Sequence, residues 1–300
     1  MPALAELADL PENSVEMAGL LLGPTTLVMV QDVVFDAPEI IKVDKQQPRA
    51  DGIRFGRDQR GGRLITLTMH VFADGGGAQA VAMLGRMETA WLADDVRSVP
   101  GAVCSLRFRT GGRTLRVYGR PRRFAAISLR ANANGWAPVT ADFQASDHLY
   151  YSDQEHSNTV SIVPPAAGGF FTPFVFPLTS LGVSYSPGVI TIGGDAPTWP
   201  VFLIRGPITD PVVRVVDNWS LSFTGITLAK DETLAIDSRP WSRGVRRNVI
   251  SSVAGALTAG SPRLSQVALP PSTYEIVLAG TDPTGTSSMT VAWREVFHNF

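Results

Sequence analysis

A mainly β chain of two domains is predicted by three observations: alternating apolar segments, closely spaced turn residues, and a length beyond one ordinary domain. Apolar side chains recur at every second position in many short stretches, the spacing of a half-buried strand. Glycine (28) and proline (22) both stand above average usage, and charged residues make up 18% against 44% hydrophobic. That balance suits short strands and tight turns better than long helices. At 300 residues the chain exceeds the roughly 100–200 residues of a usual single domain, so each half can bury its own core.

The first strand candidate begins at Gly62. Ile65, Leu67, Met69 and Val71 fall on one face and Thr66, Thr68 and His70 on the other, and the turn Asp74-Gly75-Gly76-Gly77 closes it. From Ala78 to Asp94 the period changes: Val81, Leu84, Met87 and Trp91 stand three, three and four apart, which predicts one face of a helix. After Pro100, strands are expected over Val103 to Arg109, Thr114 to Tyr118, Phe124 to Arg130 and Val139 to Phe143. Their separators are Gly111-Gly112, Arg120-Pro121 and Asn132-Ala133-Asn134-Gly135, all turn chemistry. A β-sandwich-like sheet with one helix packed on it forms the expected first domain, residues 1–152.

Over residues 153–187 the composition shifts to Pro, Gly, Phe and Ser, with Pro164-Pro165, Gly168-Gly169 and Phe170, Phe171, Phe174 and Phe176. That many phenylalanines suit a packed connector better than a solvated one. Residues 188–300 return to β. Candidates run Val189 to Ile192, Val201 to Arg205, Val212 to Val216, Trp219 to Phe223, Thr233 to Ile236, Tyr274 to Leu278 and Met289 to Trp293, enough for a two-sheet sandwich or jelly roll. No 20–50-residue repeat points to a solenoid or propeller.

The formal net charge of −1 gives no overall field for phosphates or anionic lipid, so neither specific nucleic-acid binding nor membrane insertion is expected. Apolar stretches such as Met17 to Val30 are too short and too broken by Gly and Pro to span a bilayer. Met1 to Leu10 carries Glu6 and Asp9 and does not read as a signal peptide. The one cysteine, Cys104, has no partner for an internal disulfide, and no Cys/His cluster has zinc spacing.

The search for chemistry yields no catalytic, cofactor-binding or metal residues. His70, His148, His156 and His298 are the only histidines and none has a ligand-spaced neighbour. His70 reads as a solvated or interface residue, and His148, beside Asp147, as structural, because adjacency in sequence does not orient a pair across a site. Asp94-Asp95 and Asp231-Glu232 sit at turns or helix ends, where solvated capping is the plainer reading than a glycosidase pair. Gly75-Gly76-Gly77, Gly111-Gly112 and Gly193-Gly194 lack the Lys-Ser/Thr of a phosphate loop and read as turns. The clusters Arg116, Arg120, Arg122, Arg123 and Arg239, Arg243, Arg246, Arg247 could form phosphate patches, but loops or intersubunit salt bridges fit a neutral chain better. Trp199, Trp219, Trp241 and Trp293 could form a sugar platform, with core and interface packing the stronger alternative.

One stretch carries a family resemblance: Gly193-Gly194-Asp195-Ala196-Pro197-Thr198-Trp199-Pro200-Val201-Phe202-Leu203-Ile204-Arg205-Gly206-Pro207. It resembles the G-[ND]-x-x-x-x-P-x-[ILVF]-x-[ILV]-x-G segment of siphophage tail-component proteins, the distal tail or minor tail protein family. Asp217-Asn218, Phe223 to Leu228 and Leu234-Ala235-Ile236-Asp237-Ser238-Arg239 follow in the family's order, as do Leu269-Pro270-Pro271-Ser272 and Met289 to Arg294. Ser272 replaces the usual glycine. In the first half, Asp51-Gly52, Phe55-Gly56, Gly62-Arg63-Leu64-Ile65 and the F-x-A-x-D-x-x-Y stretch Phe143 to Tyr150 are similar to the family's amino-terminal domain.

The resemblance implies a structural, non-enzymatic protein of the bacteriophage virion, assembled in the host cytoplasm and placed at the siphovirus tail tip for host attachment. It implies a homohexameric ring made by the amino-terminal domain and a galectin-like carboxy-terminal sandwich projecting outward. Expected partners are further copies of the chain, the tail tube protein and the baseplate hub or tail-associated protein, with receptor-binding proteins or cell-wall glycans as further candidates. Apolar edges would pair around the ring, and its weakly charged lumen would pass DNA without binding it tightly. The alternative reading is a carbohydrate-binding module gripping host cell-wall glycans; it requires no cofactor either.

Overall fold

The computed structural model describes residues 9–126, 135–162 and 188–300. The chain divides into two compact units, one of residues 1–153 with 297–300 and one of residues 154–296. It is mainly β, with one long helix.

In the first unit the expected alternation is present: the strand Leu64–Phe72 buries Ile65, Leu67, Met69 and Val71 completely and leaves Thr66, Thr68 and His70 half-buried. It lies in an antiparallel sheet ordered Leu20–Leu22, Ser14–Met17, Cys104–Thr110, Arg113–Ala126, Trp136–Ala145, Leu64–Phe72, Val28–Phe35, with Tyr150–Ser152 also paired to Arg113–Ala126. At Gly111-Gly112 the strand pair Thr110–Arg113 is closed by two residues with φ of 59° and 76°. Both sit in the left-handed region that a two-residue hairpin matching the sheet twist demands.

The helix spans Gly77–Leu92, but its buried stripe is Ala80, Met83, Met87 and Trp91. Val81, expected inward, is 51% exposed and Leu84 only borders the core. A spacing of three, four and four stays on one side of a 3.6-residue helix, where small Ala80 lets the backbone approach the sheet. A one-turn helix, Asp94–Arg97, follows. The expected break at Arg120-Pro121 is instead a β-bulge: one strand runs from Arg113 to Ala126, and its register with Trp136–Ala145 shifts between Pro121 and Phe124. Proline lacks the N–H a ladder needs and is tolerated at such a bulge. The far end of that expected strand, residues 127–130, and the turn at 132–134 lie outside the described residues.

The second unit holds two antiparallel sheets. One runs His156–Ser161, Ser288–Trp293, Val201–Arg205, Thr233–Asp237, Gly244–Arg247, Ser251–Ser252; the other runs Gly188–Ile192, Ser272–Thr281, Ile208–Val215, Trp219–Ser222. They share one core, to which the first gives Phe202, Ile204, Leu234, Ile236 and Met289 and the second Ile190, Val213, Leu221, Ile276 and Leu278. Each such side chain contributes about 1.5–3 kcal/mol by leaving water. His156–Ser161 falls within the stretch expected as connector yet forms a strand, paired to Ser288–Trp293. Its His-Ser-Asn-Thr run shows little apolar alternation, because only Val160 of that strand is buried. The phenylalanine string at 170–176 lies outside the described residues.

Candidate functional site

Two features of the first unit stand out: a buried ion network and an uncovered arm. Glu16 lies between buried Val15 and Met17, and Arg107 between buried Leu106 and Phe108. The antiparallel register of Ser14–Met17 with Cys104–Thr110 sets Glu16 directly opposite Arg107. Arg107 Nη1 donates to Glu16 Oε2 at 2.5 Å, its Nε and Nη2 donate to Asp153 at 2.8 and 2.6 Å, and Arg116 Nη2 donates to Asp153 Oδ1 at 2.6 Å. Burial would raise the Asp153 carboxyl, but the hydrogen bonds and charge of Arg107 and Arg116 outweigh it and hold the group below its ordinary range. Two cations against two anions is what allows four charges to stay out of water. Sequence reading placed Arg116 in a possible phosphate patch and missed the network; a lone charge flanked by apolar neighbours in a strand was the available signal.

The arm leaves the sheet after Phe35 and returns at Gly62. Ile40–Ile41 pairs with Gln59–Arg60, and Lys45–Gln46 pairs with Ile53–Arg54. Every residue from Glu39 to Arg60 is exposed, including Ile40, Ile41, Val43, Ile53 and, at 81%, Phe55. A two-stranded ladder without a covered face is marginal in water, and five large apolar side chains along it are the composition of a contact surface.

Apart from His148 and His298, the residues considered for chemistry are dispersed. His70 stacks on Trp136 with ring centroids 5.5 Å apart, and His156 stacks on Trp293 at 5.7 Å with its Nε2 3.9 Å from Glu295. His148 stacks on His298 at 6.1 Å. The neighbouring Asp147 instead accepts from the Leu149 amide and the Tyr151 hydroxyl. Asp94 and Asp95 are exposed in the short helix. Glu232 accepts from the Ala229 amide, Arg247 and Asn248, and the Arg247 contact leads in holding its carboxyl down to about 2.

Members of both arginine clusters are committed to other partners. Arg120 donates to the carbonyls of Val99 and Ala102, Arg239 pairs with Asp237, and Arg122, Arg123, Arg243 and Arg246 are exposed. Of the tryptophans, Trp199, Trp219 and Trp241 are half-buried and Trp293 is buried; Trp136, in the first unit, is 43% exposed. Burial pushes the Cys104 thiol up to about 11, far from a nucleophilic thiolate at neutral pH. Among the described residues no group of three or more His, Cys, Asp or Glu is placed to hold a metal ion, and no helix is long and apolar enough to cross a membrane.

No protein-family profile matches the chain. No curated protein sequence matches it. Solved structures do. The crystal structure of the SPP1 Dit protein, described as a paradigm of the hub adsorption apparatus in phages infecting Gram-positive hosts, aligns with a TM-score of 0.57 at 15% identity, covering 95% of this chain and 98% of that one. A chain of the phage p2 baseplate in its activated conformation with Sr aligns with a TM-score of 0.50 at 10% identity, covering 89% and 91%. The chain therefore has the fold of these phage hub and baseplate proteins over nearly its whole length.

Proposed function

We propose that this chain is a structural component of a bacteriophage tail tip, a distal tail protein whose ring joins the tail tube to the baseplate hub and host-recognition proteins. The observation that carries the reading is the near-complete mutual coverage with the SPP1 Dit fold, together with the motifs from Gly193 to Pro207 and Phe143 to Tyr150 that resemble the same family. Fold alone does not fix function, but the site chemistry points the same way. The buried charges of Glu16, Arg107, Arg116 and Asp153 are spent on each other, and burial holds the Cys104 thiol protonated.

The arm from Glu39 to Arg60 supports self-assembly, since neighbouring copies would cover what one copy leaves in water, and head-to-tail contacts that close give a ring. In this proposal residues 1–152 form the ring, residues 188–300 form the outward galectin-like sandwich, and six copies associate before joining the virion. The test is the mass of the purified protein by native mass spectrometry or light scattering, with negative-stain images. A closed ring of about six copies is expected. A strict monomer that binds cell-wall glycans on an array would replace the proposal with a carbohydrate-binding module.

A further inference from the structure

Arg63 opens the strand edge beside the arm and is only 8% exposed. Its Nη1 donates to the Tyr150 hydroxyl, its Nη2 donates to the His148 carbonyl, and its guanidinium carbon lies 4.5 Å from the Tyr150 ring centroid. All of these acceptors are neutral, and Arg63 Nε is buried with no acceptor at all. Buried cations normally carry a counter-ion, because desolvation costs more than neutral acceptors return.

Three further groups able to carry positive charge converge here. Arg60 Nη1 lies 3.4 Å from His148 Nε2, and the His148 ring stacks on His298. Since arginine can only donate, the imidazole accepts and is neutral; burial first, then Arg60, His298 and Arg63, lower its pKa. The nearby carboxylates make no direct ion pair with the cluster among the described residues. Asp147 feels the charge of Arg63, but burial, the leading cause, pushes its carboxyl above the ordinary range and its two oxygens accept from Leu149 and Tyr151, while Glu39, beside Gly61, is not paired with Arg60. Arg60 and His298 are exposed while Arg63 is buried, so the cluster has an open rim over a charged floor.

We propose that Arg60, Arg63, His148 and His298 form an oxyanion-binding site that takes a carboxylate or a phosphate group. The anion supplies the direct ionic partner that Arg63 lacks, and His148 turns from acceptor to cation when it binds. Affinity therefore rises as pH falls, since the anion favours the protonated imidazole.

The test is a histidine-ring NMR titration of the full chain with inorganic phosphate and, separately, acetate. There are four histidines, and His70 and His156 serve as internal controls. Saturable shifts of His148 and His298 that leave the controls in place are expected, with binding about tenfold weaker in Arg60→Gln and stronger at about pH 6 than at about pH 7.5. His298→Gln, at an exposed position, should weaken binding without unfolding the protein. Preference for acetate assigns a carboxylate side chain as the natural ligand, and preference for phosphate assigns a phosphate group. Four histidines moving alike, none moving up to about 50 mM of either anion, or Arg60→Gln titrating like the native protein would overturn the site.

Discussion

Arg107 and Glu16, 91 residues apart in sequence, meet at 2.5 Å with side chains 3% and 1% exposed. Removing one partner strands the other charge in the core. Arg107→Met is expected to lower unfolding free energy by about 3–5 kcal/mol, read by urea denaturation, whereas Arg109→Met, whose partners Asp9 and Glu12 are 88% and 45% exposed, should cost less than about 1 kcal/mol.

The same network sets an acid limit. The Asp153 carboxyl is held below its ordinary range in the folded chain, so its contribution is complete above the unfolded value of about 3.9. It is lost as pH falls from there through the folded value. Unfolding midpoints measured between about pH 5 and about pH 2 should fall steeply, and Arg107→Met should flatten that slope. An unchanged slope would locate acid sensitivity elsewhere.

Trp91 is 1% exposed and its Nε1 donates to the Asp142 carbonyl at 3.1 Å. Trp91→Phe should cost about 1–2 kcal/mol through the lost bond and volume. Trp91→Asp should prevent folding, seen as loss of near-UV circular dichroism, because it puts a charge where helix and sheet meet. A native-like monomeric Asp variant would rule out this helix packing.

Gly194 has φ +86°, and a Cβ there would stand 2.3 Å from the Val296 carbonyl oxygen. Gly194→Ala should destabilise by about 1–3 kcal/mol, while Gly225→Ala, also at positive φ (+76°) but with open space around it, should cost only about 1 kcal/mol. Paired thermal melts would separate contact from conformation.

Phe55, 81% exposed on the arm, should tolerate Phe55→Asp within about 0.5 kcal/mol in the monomer. If the arm is a contact surface between copies, the same change should abolish higher-mass species in native mass spectrometry. Persistence of those species would remove the arm from the assembly.

Strands with strict alternation, such as Leu64–Phe72, and the change of period at Gly77–Leu92 were legible because burial on one face leaves a periodic trace. The strands Ser14–Met17 and Leu20–Leu22 were not, since nearly all their residues are buried and no alternation results. Val28–Phe35 was obscured by the register shift between Val30 and Asp32, which changes the phase midway. Which residues pair in the ion network and the Arg63 cluster was illegible for another reason: partners far apart in the chain meet only through the fold. The F-x-A-x-D-x-x-Y stretch did carry a trace, since Asp147 caps its own turn and Tyr150 receives Arg63.

Residues 297–300 belong with the first unit, and residues 154–296 are enclosed between its two parts. The second unit is therefore a double-ended insert. A protease cut near 297 leaves it covalently joined through residue 153, whereas a cut near 153 leaves it tied to the first unit only through residues 297–300. In recombination, two crossovers, near 153 and 297, would exchange the whole insert for another while Arg107 and Arg116 keep Asp153 as their shared counterpart and Glu16 keeps Arg107.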